Sequence, residues 1–307
     1  MDGVLVCDKP AGMTSHDVVA RVRRIARQRR VGHGGTLDPP ATGVLVVALG
    51  RATRLLPFLP TEPKRYQATI RFGSETDTLD AAGTVTATAP TAQITREGVV
   101  AALARLVGPQ LQVPPMVSAV KLGGERLYAK ARRGEIVERA PRPVTVHALD
   151  LLELQEGAAP LATVSVTCSG GTYVRVLAAD LGRALGSLAH LAALRRTAVG
   201  AFTEDAAHTL DELERAGAAL HELLLSPAAA MTMGSGTRVG GSTAPGTAAA
   251  AAPARALSQR EAAALATGQP ISPTGRPEPV AALAPDGHLV AVIQDAAGRA
   301  RPRVVLE

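Results

Sequence analysis

The chain has 307 residues, 46% of them hydrophobic and only 2% aromatic, so its core must be built from Val, Leu, Ile and Ala. Its 33 Lys and Arg residues exceed its 27 Asp and Glu residues, and the net charge of +6 suits a polyanionic partner, although it also serves solubility. Two cysteines, Cys7 and Cys168, lie far apart in apolar runs. This usage indicates reduced core thiols in a cytoplasmic protein, and no metal site is expected.

The first predicted elements are a short strand over residues 4–7 and an amphipathic helix with its N-cap at Thr14 or Ser15. Apolar residues recur at helical spacing and form one stripe of the helix: Val18, Val19, Val22, Ile25 and Ala26. Six arginines between Arg21 and Arg30 fall mostly off this stripe. We expect this basic face to contact phosphates, although it could also be only a solvated surface. The opening apolar run is too short for a signal peptide, and no apolar stretch approaches the roughly 20 residues of a membrane span.

The loop over residues 32–43 is the most informative segment, with the sequence Gly-His-Gly-Gly-Thr-Leu-Asp-Pro-Pro-Ala-Thr-Gly. Its closely spaced glycines allow a ligand or another backbone to approach. Asp38 precedes Pro39, which biases Asp38 toward extended geometry and stiffens the loop. A carboxylate on a rigid loop beside His33 suits nucleophilic or electrostatic catalysis, but an Asx turn also explains an Asp-Pro pair.

The elements that follow mix strands and helices irregularly. Predicted strands lie at 43–49, 65–73 and 162–168, and predicted helices at 99–106 and 174–185. In the second of these strands, the residues at 66, 68, 70 and 72 are apolar and share one face. Because no βαβ rhythm repeats, we predict an α+β fold rather than a doubly wound one.

The C-terminal part of the chain is set off by a change in composition. Residues 234–254 are almost wholly Gly, Ser, Thr, Pro and Ala, which is typical of a flexible linker. Beyond them, Ser258 and Glu261 form a capping-box pattern for a helix, and two strands are predicted at 279–283 and 288–293. We therefore predict a main domain at 1–230, a linker at 231–255 and a small β-rich module at 256–307.

Several segments resemble, in order, the motifs of the TruB family of pseudouridine synthases, which modify uridine 55 in the T-loop of tRNA. The loop at 32–43 is similar to the family's signature loop, and residues 3–15 resemble its opening strand and Lys-Pro motif. Further matching segments lie at 64–66, 73–78, 114–121, 171–175 and 194–196. The resemblance implies an α+β pseudouridine synthase fold, with a mixed, largely antiparallel central sheet flanked by helices and loops. The tail resembles the family's PUA-like domain.

The resemblance implies three catalytic residues. Asp38 would be the nucleophile, attacking either C6 of the uracil or C1′ of the ribose. Arg175 would pair with Asp38 and favour its ionised form, although an arginine at a helix start is often only a surface residue. Tyr66 would stack on the target base and could serve as the general base, whereas its alternating pattern alone fits a core tyrosine.

Four more residues would bind the substrate by the same resemblance. His33 would pack where the flipped nucleotide leaves the stack, although a histidine in a loop is often incidental. Tyr173 and Leu194 would line the uracil pocket, and Lys9 would support the loop or touch phosphate. The chain departs from many relatives at Gly170, where they have a lysine, so one phosphate contact would be missing.

The implied reaction needs no cofactor, because uridine and pseudouridine are isomers. By the same resemblance, we expect a tRNA pseudouridine-55 synthase that acts on tRNA as a monomer and without a protein partner. Two alternatives stay open: a guide-RNA-dependent synthase of the dyskerin type, and a tRNA-binding folding helper whose catalysis is incidental. A general single-strand RNA binder is disfavoured, since three Tyr and three Phe cannot supply repeated stacking sites.

Overall fold

The structure is a computed structural model that describes residues 1–116, 121–122, 125–126, 137–234 and 251–306. Its helices and strands are mixed along the chain, and this confirms the predicted α+β class. Most of the predicted linker, and residues 117–120 of the motif at 114–121, lie outside the described residues.

The described helices are α1 (Ser15–Ile25), α2 (Arg96–Arg105), α3 (Val174–Ala184), α4 (Leu210–Ala216), α5 (Pro227–Thr232) and α6 (Gln259–Ala266). The first strands are β1 (Gly3–Lys9), β2 (Val31–Gly34), β3 (Thr42–Leu49), β4 (Lys64–Phe72), β5 (Ser74–Thr76), β6 (Val85–Thr88), β7 (Gly108–Gln112), β8 (Lys121–Leu122) and β9 (Glu125–Arg126). The later strands are β10 (Arg142–Gln155), β11 (Leu161–Cys168), β12 (Ala189–Val199), β13 (Phe202–Thr203), β14 (His208–Thr209), β15 (Ala254–Ala256), β16 (Val280–Leu283), β17 (Leu289–Ala296) and β18 (Arg299–Val305).

Tertiary contacts divide the chain into two compact units. The first comprises the described parts of 1–62, 198–244 and 248–307, and the second those of 63–197. The C-terminal strands therefore belong to the same unit as the N-terminal strands. The predicted domain boundaries at residues 230 and 255 stay a prediction, because most of the linker between them is not described.

In the first unit, β1 pairs antiparallel with β3, from Gly3 opposite Leu49 to Lys9 opposite Gly43. Strand β2 pairs with β3, and β14 pairs in parallel with β1. Alternate residues of β1 and β3 enter two different apolar clusters, so the strands are buried on both faces. One of these clusters holds Val18 and Val22 of α1, which confirms the predicted stripe.

The C-terminal strands form a four-stranded sheet in the order β15-β16-β17-β18. Ser258 and Glu261 make the predicted capping box at the start of α6. Leu289 of β17 and Leu306 belong to the same buried cluster as Val4 of β1. The tail and the first strands of the chain thus share one core.

In the second unit, the strand order is β12-β4-β11-β10-β7, with β7 at the edge. The predicted alternation in β4 is confirmed, because its buried residues are Tyr66, Ala68, Ile70 and Phe72. Helix α2 starts earlier than the apolar pattern predicts, because the Thr95 hydroxyl accepts a hydrogen bond from the N–H of Gly98 and caps it. Helix α3 begins directly after Tyr173, one of the predicted site residues.

Candidate active site

The loop that carries Asp38 is fixed by hydrogen bonds on both sides of this residue. The buried Ser15 hydroxyl accepts from the N–H of Leu37 at 2.9 Å and donates to the Leu37 carbonyl at 3.3 Å. On the other side, the N–H of Gly12 donates to the Pro39 carbonyl at 2.8 Å. Asp38 itself is half-buried, and its own carbonyl accepts from the N–H of Ala41. The α1 N-terminus and the segment after β1 therefore hold the backbone around Asp38 in place.

Lys9 lies beneath the same loop and is fully buried. Its Nζ donates to the Pro10 carbonyl at 2.8 Å and to the Pro39 carbonyl at 3.1 Å. A buried ammonium is costly unless hydrogen bonds compensate it, and here it bridges two backbone segments. Of the two predicted roles, loop support and phosphate contact, this geometry favours loop support.

His33 lies on β2, at the entrance to the loop, and is half-buried. Its ring meets the ring of His16 of α1 edge-to-face, with the centroids 5.2 Å apart and the planes at 82°. Such T-shaped pairs are a preferred aromatic arrangement. The sequence did not predict this partner, because His16 and His33 are far apart along the chain.

The predicted basic face of α1 is only partly available to a ligand. Helix α1 ends at Ile25, and Arg27 has a φ of 48°, so three of the six arginines follow the helix. Arg21 binds both carboxylate oxygens of Glu214, with its Nε 2.7 Å from Oε1. Arg23 donates to the Val31 carbonyl. These two arginines stabilise the fold, which the charge pattern alone could not distinguish from binding.

In the second unit, Tyr66 is buried in the sheet and has a cationic neighbour. It lies on β4, is 8% exposed, and its hydroxyl forms a hydrogen bond with Arg196 of the adjacent strand β12. Burial lowers the pKa of the Arg196 guanidinium, and the interaction with Tyr66 opposes that shift. A cation beside a phenol favours the phenolate over the neutral form. Arg196 therefore supplies the neighbour that a tyrosine base would need.

Arg175 is a buried cation at an unfavourable position of a helix. It is the second residue of α3, where the helix dipole disfavours positive charge, and is only 4% exposed. Its Nη1 lies 3.2 Å from Oδ2 of Asp80, and it also donates to the Thr78 carbonyl at 3.4 Å. The Asp80 carboxylate is itself held by the Thr78 hydroxyl at 2.7 Å and by the N–H of Ala82 at 3.0 Å. Asp80 thus contributes a carboxylate that compensates the buried charge of Arg175.

Tyr173 and Leu194, the predicted lining of the uracil pocket, are both half-buried. The backbone N–H of Tyr173 donates to Oε1 of Gln112 at 2.9 Å. Leu194 lies two residues before Arg196 on β12, so the two side chains lie on the same side of that strand. Within this unit, two site residues thus have a charged partner: Tyr66 is hydrogen-bonded to Arg196, and Arg175 forms an ion pair with Asp80.

Sequence reasoning missed three of these residues: Asp80, Arg196 and Gln112. Asp80 lies two residues beyond the matched segment 73–78, and Arg196 lies in the matched segment 194–196, which gives it no role of its own. An arginine in the first turn of a buried helix was a usable signal, because it requires a nearby acid. In the described part of the chain, no group of three or more His, Cys, Asp or Glu side chains could hold a metal ion. Nor does any described helix combine the length and apolar character needed to cross a bilayer.

Comparisons with known proteins cover nearly the whole chain. Residues 23–174 match the model of the TruB family pseudouridylate synthase N-terminal domain, residues 175–230 that of the tRNA pseudouridylate synthase B C-terminal domain, and residues 253–307 that of the tRNA pseudouridine synthase II C-terminal domain. The tRNA pseudouridine synthase B of Thermobifida fusca is 47% identical, over 99% of this chain and 98% of its own length. The tRNA pseudouridine synthase B of Symbiobacterium thermophilum is 54% identical, over 75% of this chain and 76% of its own length. Among solved structures, a Cbf5–Nop10–Gar1 complex contains a chain with 26% identity and a TM-score of 0.72, covering 99% of this chain and 85% of that one.

Proposed function

This chain belongs to the TruB family of pseudouridine synthases, and on that premise we propose that it converts uridine 55 in the T-loop of tRNA to pseudouridine. The relatedness along the full length to enzymes named tRNA pseudouridine synthase B carries the choice of tRNA as substrate. The net charge of +6 agrees with a polyanionic substrate.

Asp38 is the nucleophile in this proposal. Its carboxylate attacks either C6 of the uracil or C1′ of the ribose, and the N1–C1′ bond breaks. The uracil then turns and C5 bonds to C1′. The bond to the Asp38 carboxylate breaks, the proton on C5 leaves to a base, and N1 takes up a proton. A loop anchored by Ser15 and Lys9 suits this role, because a carboxylate held in advance loses little freedom in the transition state.

The other residues bind the target uracil, accept its proton and favour the ionised form of the nucleophile. Arg175 pairs with Asp38 and favours its ionised form, while Asp80 holds the same guanidinium from within its own unit. Tyr66 stacks on the uracil and takes the C5 proton, assisted by Arg196. Tyr173 and Leu194 line the pocket, and His33 packs where the flipped nucleotide leaves the stack. Flipping costs a few kcal/mol, which contacts in the pocket offset.

The test is incubation of the purified protein with an unmodified tRNA transcript that carries tritium at uracil C5. We expect release of tritium, mapped to one T-loop uridine, without any guide RNA or accessory protein. Asp38→Asn should abolish release while leaving tRNA affinity largely intact. The matched control is Asp211→Asn, since the Asp211 side chain is 84% exposed.

Each outcome has a distinct meaning. Release that requires a guide RNA would favour the dyskerin-type alternative. Refolding of tRNA with no release would favour the folding helper. Turnover by Asp38→Asn equal to that of the parent protein would disprove the assignment of the nucleophile.

A further inference from the structure

Strand β7 buries one amide side chain although it lies at the edge of its sheet. Leu111 is 71% exposed, whereas the next residue, Gln112, is 2% exposed. Gln112 ends the strand and pairs with Arg142 of β10. A buried neutral amide is favourable only when its donors and acceptor find partners.

Only one end of the Gln112 amide is satisfied within the described residues. Oε1 accepts from the backbone N–H of Tyr173 at 2.9 Å, and this fixes the orientation of the amide, because an N–H can only donate. Nε2 then points the other way, where it is buried and has no hydrogen-bond partner among the described residues. A stranded donor destabilises the folded protein, so stability alone does not explain this glutamine.

The satisfied end fixes the start of α3. Tyr173 is the N-cap residue of this helix, and its own side chain does not make the usual capping hydrogen bond. The bond from Gln112 therefore fixes the backbone from which Tyr173 and Arg175 project. Both are site residues of the proposed function, on which this step rests.

We infer that Gln112 is a positioning residue. Its Oε1 sets the backbone at the start of α3, and through it the placement of Tyr173 and Arg175 against the target uridine. The stranded Nε2 is a cost in stability that accompanies this placement. Functional sites commonly contain such locally unfavourable features, for example an unsatisfied buried donor, which lower stability but serve function.

The test separates stability from turnover with two substitutions. Gln112→Met removes the stranded Nε2 donor but leaves the Tyr173 N–H without its acceptor. Because the two effects offset, the midpoint of thermal unfolding should stay within about 3 °C of the parent value. Turnover of tRNA should nevertheless fall by about 10- to 100-fold, because the start of α3 loses its anchor. Gln112→Glu keeps an acceptor for the Tyr173 N–H but buries an acid. It should unfold at a lower temperature and yet keep turnover within about fivefold of the parent protein.

Gln110→Met is the matched control. Gln110 lies on the same strand, two residues earlier, and its Nε2 donates to the Leu106 carbonyl. We expect its turnover to equal that of the parent protein. If turnover follows thermal stability in both Gln112 variants, the residue is merely structural and the inference is wrong. If the parent protein itself releases no tritium from tRNA, the proposed function fails instead, so the two failures are distinguishable.

Discussion

The ion pair between Arg175 and Asp80 gives the sharpest test of how the site is held together. The two side chains are only 4% and 12% exposed, and Nη1 lies 3.2 Å from Oδ2. Asp80→Asn keeps the shape of the side chain and an oxygen for the Ala82 N–H, but it removes the charge. Arg175 would then be a buried cation with one compensating carboxylate fewer.

The expected cost can be worked from burial. Removing one partner of a buried ion pair costs about 3–5 kcal/mol, and the lower end applies because asparagine keeps part of the hydrogen bonding. A loss of about 3 kcal/mol lowers the thermal midpoint by roughly 5 °C, because the unfolding entropy is about 2.1 cal/mol/K per residue and the chain has 307 residues. Turnover should fall by about 100-fold, since a guanidinium displaced by about 1 Å no longer meets its target.

The matched control is the ion pair between Arg183 and Glu75, which lies in the same unit. The Arg183 side chain is 53% exposed, and its Nη2 lies 2.9 Å from Oε2 of Glu75. Because the pair is largely solvated, Glu75→Gln should lower the free energy of unfolding by at most about 1 kcal/mol. Calorimetry of both variants, with tritium release measured in parallel, checks the comparison. In an Arg175→Met background, Asp80→Asn should cost much less, because the two residues are coupled. Equal midpoints and equal turnover for Asp80→Asn and Glu75→Gln would refute the reasoning.

Three further predictions follow from the described contacts. Lys9→Met should lower turnover more than tRNA affinity, because the Pro10 and Pro39 carbonyls lose their charge-assisted hydrogen bonds. Equal losses of turnover in kinetic assays and of affinity in binding assays would contradict this. Tyr66→Phe should reduce turnover by about 100-fold or more at unchanged tRNA affinity, because the ring remains and the proton acceptor is lost. A normal rate of tritium release would exclude Tyr66 as the general base. Replacing Arg27 and Arg29, both exposed and without a side-chain partner in the described chain, should flatten the salt dependence of binding by about 0.7–0.9 unit per lost contact. Arg21→Gln, the control, should leave this slope unchanged because Glu214 already holds that arginine.

The sequence predicted what depends on local pattern. The alternation in β4, the stripe on α1 and the capping box at Ser258 each follow from spacing within one element, and all three are present. The α+β class followed from the order of such elements. Element ends were less accurate, because a single cap such as Thr95 or a single backbone angle such as that of Arg27 decides them.

The partners of the site residues could not be predicted, because they depend on pairing across the sheet. Tyr66 and Arg196 are 130 positions apart, and only the neighbouring placement of β4 and β12 brings them together. Arg175 and Asp80 are separated by 95 positions. The arginine pattern of α1 showed a basic face, but not that Arg21 is already engaged by Glu214.

The core shared by the two ends of the chain has a consequence during synthesis. Strand β1 contributes Val4 to a cluster that also contains Leu289 and Leu306, so a strand made early completes its core only when residues far along the chain have been made. At about 5–20 residues per second, the ribosome needs about 14–57 s to extend the chain from Val4 to Leu289, which is 285 residues later. Throughout that interval an apolar strand lacks its final cover, and we expect nascent chains to engage chaperones until the tail emerges.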